Sequence, residues 1–129
     1  MLTTANREGA PVTLRVMSIF GTRPEAIKFA PLVKALEAHP GTESVVAVTG
    51  QHREMLDQVN ELFGVVPTID LDIMQPGQTL HEIIERTLAG LAPVLHREQP
   101  DYVAVQGDTT TTLAAAMSAA FLQIPVVHL

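Results

Sequence analysis

Two short segments of the sequence place charged side chains beside the signals of a helix start. The segment FGTRPEAIKFAPL, residues 20–32, carries Arg23 and Lys28, and the segment VQGDTTTTLAAA, residues 105–116, carries Asp108. The amino terminus of a helix attracts anions because its first N–H groups are unpaired, and nearby cations strengthen this attraction. A carboxylate opposite such cations suits acid–base chemistry on a phosphorylated substrate.

Helix capping is the structural alternative for both segments. Thr22 and Glu25 have the spacing of a capping box, and Pro24 suits the first helical turn. Capping does not explain Arg23 and Lys28, the two cations of the first segment. In the second segment Asp108 could be an N-cap, and a single threonine of the run TTTT would also suffice for that purpose. These residues alone leave both interpretations of Asp108 open.

Alternating strands and helices are predicted around these segments. Five apolar runs, read as strands, cover residues 14–20, 44–49, 68–73, 101–106 and 124–129. Between them, apolar residues recur at steps of three and four, most clearly from Thr79 to Glu98. Thr79 and Glu82 fit a capping box there, and Pro93 predicts a kink. Gly64 is expected to end the helix before it.

The alternation predicts a Rossmann-like α/β fold with a doubly wound parallel sheet. Such sheets bind ligands in the crevice beyond the carboxyl ends of the strands, where the strand order reverses. In the common order 3-2-1-4-5 the first and fourth strands are neighbours. We therefore expect Arg23 and Asp108 to face each other across that crevice.

Composition excludes several classes of function. The net charge of −6 and the lack of a basic cluster argue against a nucleic-acid partner. With no cysteine there is no disulfide and no thiolate site. No apolar run approaches the ~18 residues of a membrane span, and residues 1–13 resemble a flexible leader on a cytoplasmic protein. No metal site is predicted, since no ligand spacing joins the histidines, which are His39, His52, His81, His96 and His128.

Four motifs together resemble the amino-terminal domain of the non-hydrolysing UDP-N-acetylglucosamine 2-epimerases. They are FGTRPEAIKFAPL, TGQHREMLDQV, LDIMQPGQTL and GDTTTTLAAA. The resemblance covers residues 15–129, with the motifs in the family's order and spacing. It implies a two-domain fold of the glycosyltransferase-B type with the active site between the domains. Residues 14–129 would form the amino-terminal domain, cut short at the fifth strand, and the second domain would be absent.

The resemblance also implies an activity and its residues. The family interconverts UDP-N-acetylglucosamine and UDP-N-acetylmannosamine by removing the C2 proton, eliminating UDP and adding it back, without a cofactor. Asp108 would belong to the acid–base set, while Arg23 and Lys28 would bind substrate and stabilise charge. In the family a further catalytic glutamate follows the segment IPVVHL, so residues 1–129 alone are expected to be inactive.

The same resemblance implies a regulatory site and a homodimeric assembly. Some bacterial relatives carry a second, regulatory UDP-N-acetylglucosamine site, for which Gln51 and Glu54 are the candidates here. Glu54 and Gly77 replace the glutamine and arginine of some relatives. The full-length protein is expected to form a homodimer.

Two other functions are weighed against this one. The hydrolysing relatives release free N-acetylmannosamine and UDP, but their loops usually lack the Pro-Glu pair and the threonine run. A non-catalytic module that binds nucleotide sugars would have no need of Asp108 as an acid or base.

Overall fold

The computed structural model describes residues 13–50 and 53–129, so the predicted leader, apart from residue 13, lies outside the described residues. Within the described ranges, strands and helices alternate as the apolar runs predicted. The elements are β1 (Leu14–Phe20), α1 (Arg23–Ala38), β2 (Thr42–Val48), α2 (Arg53–Phe63), β3 (Ile69–Asp70), α3 (Leu80–Glu98), β4 (Tyr102–Val105), α4 (Thr110–Phe121) and β5 (Val126–His128).

The strands form one parallel sheet, which confirms the predicted fold class. Its order is β3-β2-β1-β4-β5, and every neighbouring pair is parallel. The chain winds outward from β1 to β3 and then returns to place β4 against the other side of β1. The order therefore reverses between β1 and β4, as expected, and this is where such sheets open a ligand crevice.

Each face of the sheet is covered by a pair of helices over its own apolar core. Along β1, Met17 and Ile19 belong to the core with α3 and α4, whereas Phe20 belongs to the core with α1 and α2. The ring of Phe20 stacks on that of Phe29 in α1, with centroids 5.2 Å apart. This period-two alternation fixes which side chains of β1 can reach either pair of helices.

Strand β3 is shorter than the sequence predicted. The apolar run over residues 68–73 gives a strand only at Ile69–Asp70. Asp72 has a φ of 46°, and its N–H donates to the Asp70 carboxylate at 3.1 Å. A left-handed residue with a local turn of this kind cannot continue a strand, although the Leu71 N–H still donates to Val48.

Local signals set the helix ends. Thr79 caps α3, its hydroxyl accepting from the Glu82 N–H at 3.1 Å. Among the described residues the predicted capping box is incomplete. The Thr79 N–H does not donate to the Glu82 carboxylate. Helix α3 continues through Pro93, which is exposed.

A glycine ends α2 as predicted. Gly64 has a φ of 67°, and its N–H donates to the Glu61 carbonyl. The N–H of Val65 donates to the Asn60 carbonyl at 2.8 Å, which completes a Schellman motif. The apolar stripe of this helix includes the buried Leu56 and Val59 but not Leu62, which is 78% exposed.

A charged cluster joins the elements at the amino ends of the strands. The guanidinium of Arg15 in β1 forms two hydrogen bonds with Glu43 of β2, at 3.0 and 3.1 Å. It also donates to the Glu98 carbonyl at the end of α3, at 2.7 Å. The hydrogen bond and charge of Glu43 raise the pKa of Arg15 above its ordinary value. This cluster ties the sheet together at the edge opposite the crevice.

No helix among the described residues has both the length and the apolar content to cross a membrane.

Candidate functional site

A cleft of about 420 Å³ lies where the β1–α1 and β4–α4 loops meet. Both loops leave the carboxyl ends of neighbouring strands, at the point where the strand order reverses. The lining residues are Thr22, Pro24, Glu25, Lys28, Gln106, Gly107, Asp108 and Thr109. The two segments singled out in the sequence therefore form the walls of one cleft.

Two of the three predicted site residues line this cleft. Lys28 lies on the wall formed by α1, and Asp108 on the wall formed by the β4–α4 loop. Arg23 is exposed at the first position of α1 and does not line the cleft. Within residues 13–50 and 53–129, no hydrogen bond or ion pair holds its guanidinium. The cleft therefore sets Lys28, rather than Arg23, opposite Asp108.

The ammonium of Lys28 reaches the end of β4. When the side-chain amide of Gln106 is oriented to satisfy its neighbours, its oxygen accepts from the Gly107 N–H at 3.1 Å and from Lys28 Nζ at 3.3 Å. This contact joins the wall formed by α1 to the wall formed by the β4–α4 loop.

Asp108 does not cap α4, so that interpretation of the residue is wrong. The N-cap is Thr109, whose hydroxyl accepts from the Thr112 N–H at 3.2 Å. The preceding Gly107 has a φ of 76°, a conformation that glycine adopts without strain. The Asp108 carboxylate is exposed at the cleft and has no capping role.

Glu25 is also among the residues that line the cleft, although only 2% of its surface is exposed. Its Oε1 accepts from the Thr22 hydroxyl at 2.7 Å, from the Thr22 N–H at 3.1 Å and from the Gly21 N–H at 3.3 Å. Thr22 is the N-cap of α1, and the predicted capping box between Thr22 and Glu25 is confirmed.

The other oxygen of Glu25 reaches the second loop, which the sequence did not predict. Its Oε2 lies 3.3 Å from the Thr109 hydroxyl and 3.4 Å from the Thr112 hydroxyl. The Thr112 hydroxyl also donates to the Gln106 carbonyl at 2.7 Å, while Thr111 contacts Thr49 at 3.5 Å. The signal in the sequence was the excess of threonines over what one cap needs.

The end of β5 is attached to the same loop. A ring nitrogen of His128 lies 2.7 Å from the Gly107 carbonyl oxygen. Within the described residues, no histidine is among those that line the cleft. No group of three or more histidines and carboxylates in the described ranges is arranged to hold a metal ion.

The two regulatory candidates lie at the start of α2 and just before it in the sequence. Gln51 lies outside the described residues. Glu54 is exposed in the first turn of α2, where a carboxylate interacts favourably with the helix dipole. Their regulatory role stays a prediction.

Comparisons with known proteins agree with the geometry. The family model for UDP-N-acetylglucosamine 2-epimerase matches residues 34–129. The chain belongs to the UDP-N-acetylglucosamine 2-epimerase family. It is 59% identical over 115 residues to the UDP-N-acetylglucosamine 2-epimerase of Salmonella typhimurium, a match that covers 89% of this chain and 31% of that protein. The chain thus spans about a third of the length of the curated family members it matches.

Solved structures of the family share this fold. The UDP-GlcNAc 2-epimerase of Neisseria meningitidis, bound to UDP-GlcNAc, matches with a TM-score of 0.85 and 49% identity over 90% of this chain and 32% of its own. The enzyme of Methanocaldococcus jannaschii, in complex with UDP-GlcNAc and UDP, matches with a TM-score of 0.84 and 35% identity over 90% of this chain and 32% of its own.

Proposed function

We propose that this chain is the amino-terminal domain of a UDP-N-acetylglucosamine 2-epimerase of the non-hydrolysing type. The whole protein interconverts UDP-N-acetylglucosamine and UDP-N-acetylmannosamine. The observation that carries this proposal is the cleft itself, in which Lys28 and Asp108 lie on opposite walls in a member of this family.

The positive charges of the cleft suit a diphosphate. Helices α1 and α4 both begin at the cleft, so their unpaired N–H groups favour an anion there. Lys28 adds a full positive charge in the cleft, and Arg23 adds another outside its walls, at the exposed start of α1. When the bond between C1 and the diphosphate oxygen breaks, its electron pair goes to that oxygen, and these charges stabilise the leaving UDP.

Asp108 supplies the carboxylate for proton transfer. Its side chain is exposed at the cleft, with no capping bond to give up, and can exchange a proton with the sugar. Loss of the C2 proton together with UDP leaves a double bond between C1 and C2. Re-addition of UDP at C1 and of a proton at the opposite face of C2 gives the epimer.

The non-hydrolysing type is supported by the two loops. The Pro-Glu pair after Arg23 and the threonine run after Asp108 are usually missing from hydrolysing relatives. In this chain they connect the walls of the cleft through Glu25. Both reactions eliminate UDP, and they differ in whether UDP or water adds to the intermediate.

The decisive experiment is incubation of the whole protein with UDP-N-acetylglucosamine in deuterated water. We expect deuterium at C2 of a sugar that has the manno configuration and is still linked to UDP. Free N-acetylmannosamine with UDP would instead indicate the hydrolysing reaction. Binding of the nucleotide sugar without deuterium exchange would indicate a non-catalytic module.

Two lysines of α1 offer a matched pair of variants. Lys28→Met removes the ammonium that lines the cleft, and we expect it to slow deuterium incorporation. Lys34→Met removes an ammonium that donates to the Gly64 carbonyl at 2.6 Å, away from the cleft, and should leave incorporation unchanged. Equal effects of the two substitutions would argue against the cleft as the substrate site.

The remaining parts of the proposal concern the whole protein. The further catalytic glutamate follows the segment IPVVHL, and a second domain of the glycosyltransferase-B type closes the cleft. The protein is a cytoplasmic homodimer that needs neither a metal ion nor a cofactor. The support for these features is family membership and the length of the relatives.

A further inference from the structure

The carboxylate of Glu25 has more partners than its capping role requires. A capping box needs one side-chain oxygen at this position, and glutamine serves as well as glutamate. Here Oε1 alone takes the three donors of the β1–α1 loop. The second oxygen is directed to a different loop, 84 to 87 residues away in sequence.

Because this carboxylate is buried, it depends on hydrogen bonds from protein groups rather than from water. Glu25 is 2% exposed, and no ion pair reaches it within the described part of the chain. A buried carboxylate is costly unless hydrogen bonds replace the water that it has lost. Its donors are all uncharged groups of the two loops that form the cleft. Separating the loops would leave one of its oxygens without partners.

The hydroxyls of Thr109 and Thr112 both contribute to the contact with Glu25. Each hydroxyl has one hydrogen to donate. That of Thr112 points to the Gln106 carbonyl, its nearest acceptor at 2.7 Å. The hydroxyl of Thr109, which accepts from the Thr112 N–H, then has two acceptors for its own hydrogen, the Thr112 hydroxyl at 3.0 Å and Oε2 of Glu25 at 3.3 Å. Oε2 of Glu25 and the hydroxyls of Thr109 and Thr112 thus form one cluster of hydrogen-bonding groups.

We propose that Glu25 is a positioning residue for the reaction, holding the loop that carries Asp108 at a fixed distance from the helix that carries Lys28. This inference rests on the proposed function. Asp108 directly precedes Thr109, and Lys28 lies one turn after Glu25, so the contact between Thr109 and Glu25 sets the width of the cleft. A misplacement of about 1 Å at a catalytic group can lower a rate by as much as ~10²-fold.

The test uses isosteric changes in the whole protein. Glu25→Gln keeps one oxygen for the capping box. It replaces the other oxygen, which accepts a hydrogen bond, with an NH₂ group, which donates. Thr112→Val removes the hydroxyl that lies 3.0 Å from that of Thr109 and 3.4 Å from Oε2 of Glu25. We expect each to lower kcat about tenfold, with KM changed by less than about twofold, because neither side chain binds the diphosphate. Thr112→Ser, which keeps the hydroxyl, should restore kcat.

The neighbouring threonine provides the matched control. Thr111 lies in the same turn of α4 and is fully buried, but its hydroxyl contacts Thr49 rather than Glu25. Thr111→Val makes the same chemical change and should leave kcat within about twofold of the unsubstituted protein. A loss of kcat in Thr111→Val equal to that in Thr112→Val would overturn the proposal, since burial alone would then explain both.

A double variant tests the connection itself. If Glu25 and Thr112 act through one contact, the variant with both substitutions should lose about as much kcat as either alone, about tenfold. Independent effects would multiply to about a hundredfold, and that result would overturn the proposal.

Hydrogen exchange tests the same connection without activity. In Glu25→Gln, the amides of residues 107–112 should exchange at least about tenfold faster, while those of α3 are unchanged. Unchanged exchange in the loop would overturn the positioning role. If the unsubstituted protein proves inactive on UDP-N-acetylglucosamine, the proposed function fails, and the exchange result alone decides whether Glu25 couples the loops.

Discussion

At the scale of single residues, the cleft separates charges that the sequence grouped together. Lys28, Asp108 and the buried Glu25 line it, whereas Arg23 lies outside its walls. The separation arises because α1 turns successive side chains by about 100°, so that Arg23 and Lys28 leave the helix in different directions. Substitutions can therefore distinguish charges that act on a substrate from those that hold the loops.

Asp108→Asn should abolish most activity of the whole protein without destabilising it. Because Thr109 caps α4, the change removes no cap, and the free energy of unfolding should change by less than ~0.5 kcal/mol. An amide cannot exchange the proton, so kcat should fall by about 10²- to 10⁴-fold. Urea denaturation and steady-state kinetics measure the two quantities. Normal turnover would remove Asp108 from the acid–base set.

Arg23→Ala and Thr22→Ala should have opposite effects. Arg23 is exposed and unpaired within the described residues, so its loss should alter the free energy of unfolding by less than ~0.5 kcal/mol. We expect kcat/KM to fall about a hundredfold, or about 2.7 kcal/mol, through weaker stabilisation of the leaving UDP. Thr22→Ala should instead cost about 1 kcal/mol of stability with a milder kinetic effect.

Paired melting and kinetic measurements decide between the two roles. If Arg23→Ala turns over normally, Lys28 alone provides the side-chain charge at the cleft, in keeping with its position on the wall. If Arg23→Ala melts early, the guanidinium has a structural role that its exposure does not reveal.

At the scale of elements, the ends of helices and strands are set by short polar contacts. Gly64 ends α2, Thr109 begins α4, and the turn at Asp72 shortens β3. Each of these contacts involves residues within about five positions, so each can be changed without disturbing the sheet.

Thr79→Ala tests one such end. The Thr79 hydroxyl accepts from the Glu82 N–H and begins a helix of 19 residues. Its loss should lower the free energy of unfolding by about 1 kcal/mol, because an N–H of the first turn loses its partner. Thr79→Ser keeps the acceptor and is the control. Equal stability of the alanine and serine variants in urea would show that water replaces the cap.

At the scale of the whole molecule, strand β5 leaves apolar surface open on both faces of the sheet. Val126, Val127 and Leu129 are 37%, 41% and 46% exposed. Apolar hollows of about 470 and 250 Å³ flank the strand, one beside α4 and one beside α1. An uncovered edge strand with apolar neighbours favours association.

Residues 1–129 expressed by themselves should therefore self-associate. Light scattering should give a mass that rises with concentration, and replacing Val126 and Val127 with threonine should reduce this rise while keeping the strand propensity. Leu62→Gln is the control, since Leu62 is 78% exposed but lies on α2. If Leu62→Gln reduces association instead, the surface of α2 is responsible.

The sequence by itself determined the order of elements, the parallel sheet and several helix ends. Apolar periodicity reports which face of an element is buried, and caps such as Thr79 and Gly64 act on near neighbours in the chain. It also predicted that residues 20–32 and 105–116 meet at one crevice, because parallel strands end at a common edge, but it set Arg23 rather than Lys28 opposite Asp108.

Only the tertiary structure decided which side chains share the cleft and what holds its walls. The second oxygen of Glu25, the orientation of Thr109 and the position of Arg23 depend on how two loops distant in sequence approach each other. Periodicity carries no information on such contacts, because a hydroxyl can cap a helix or bind a distant carboxylate with the same local sequence. The threonine run contains more hydroxyls than one helix cap needs, and the fold shows that two of them, those of Thr109 and Thr112, contact Glu25.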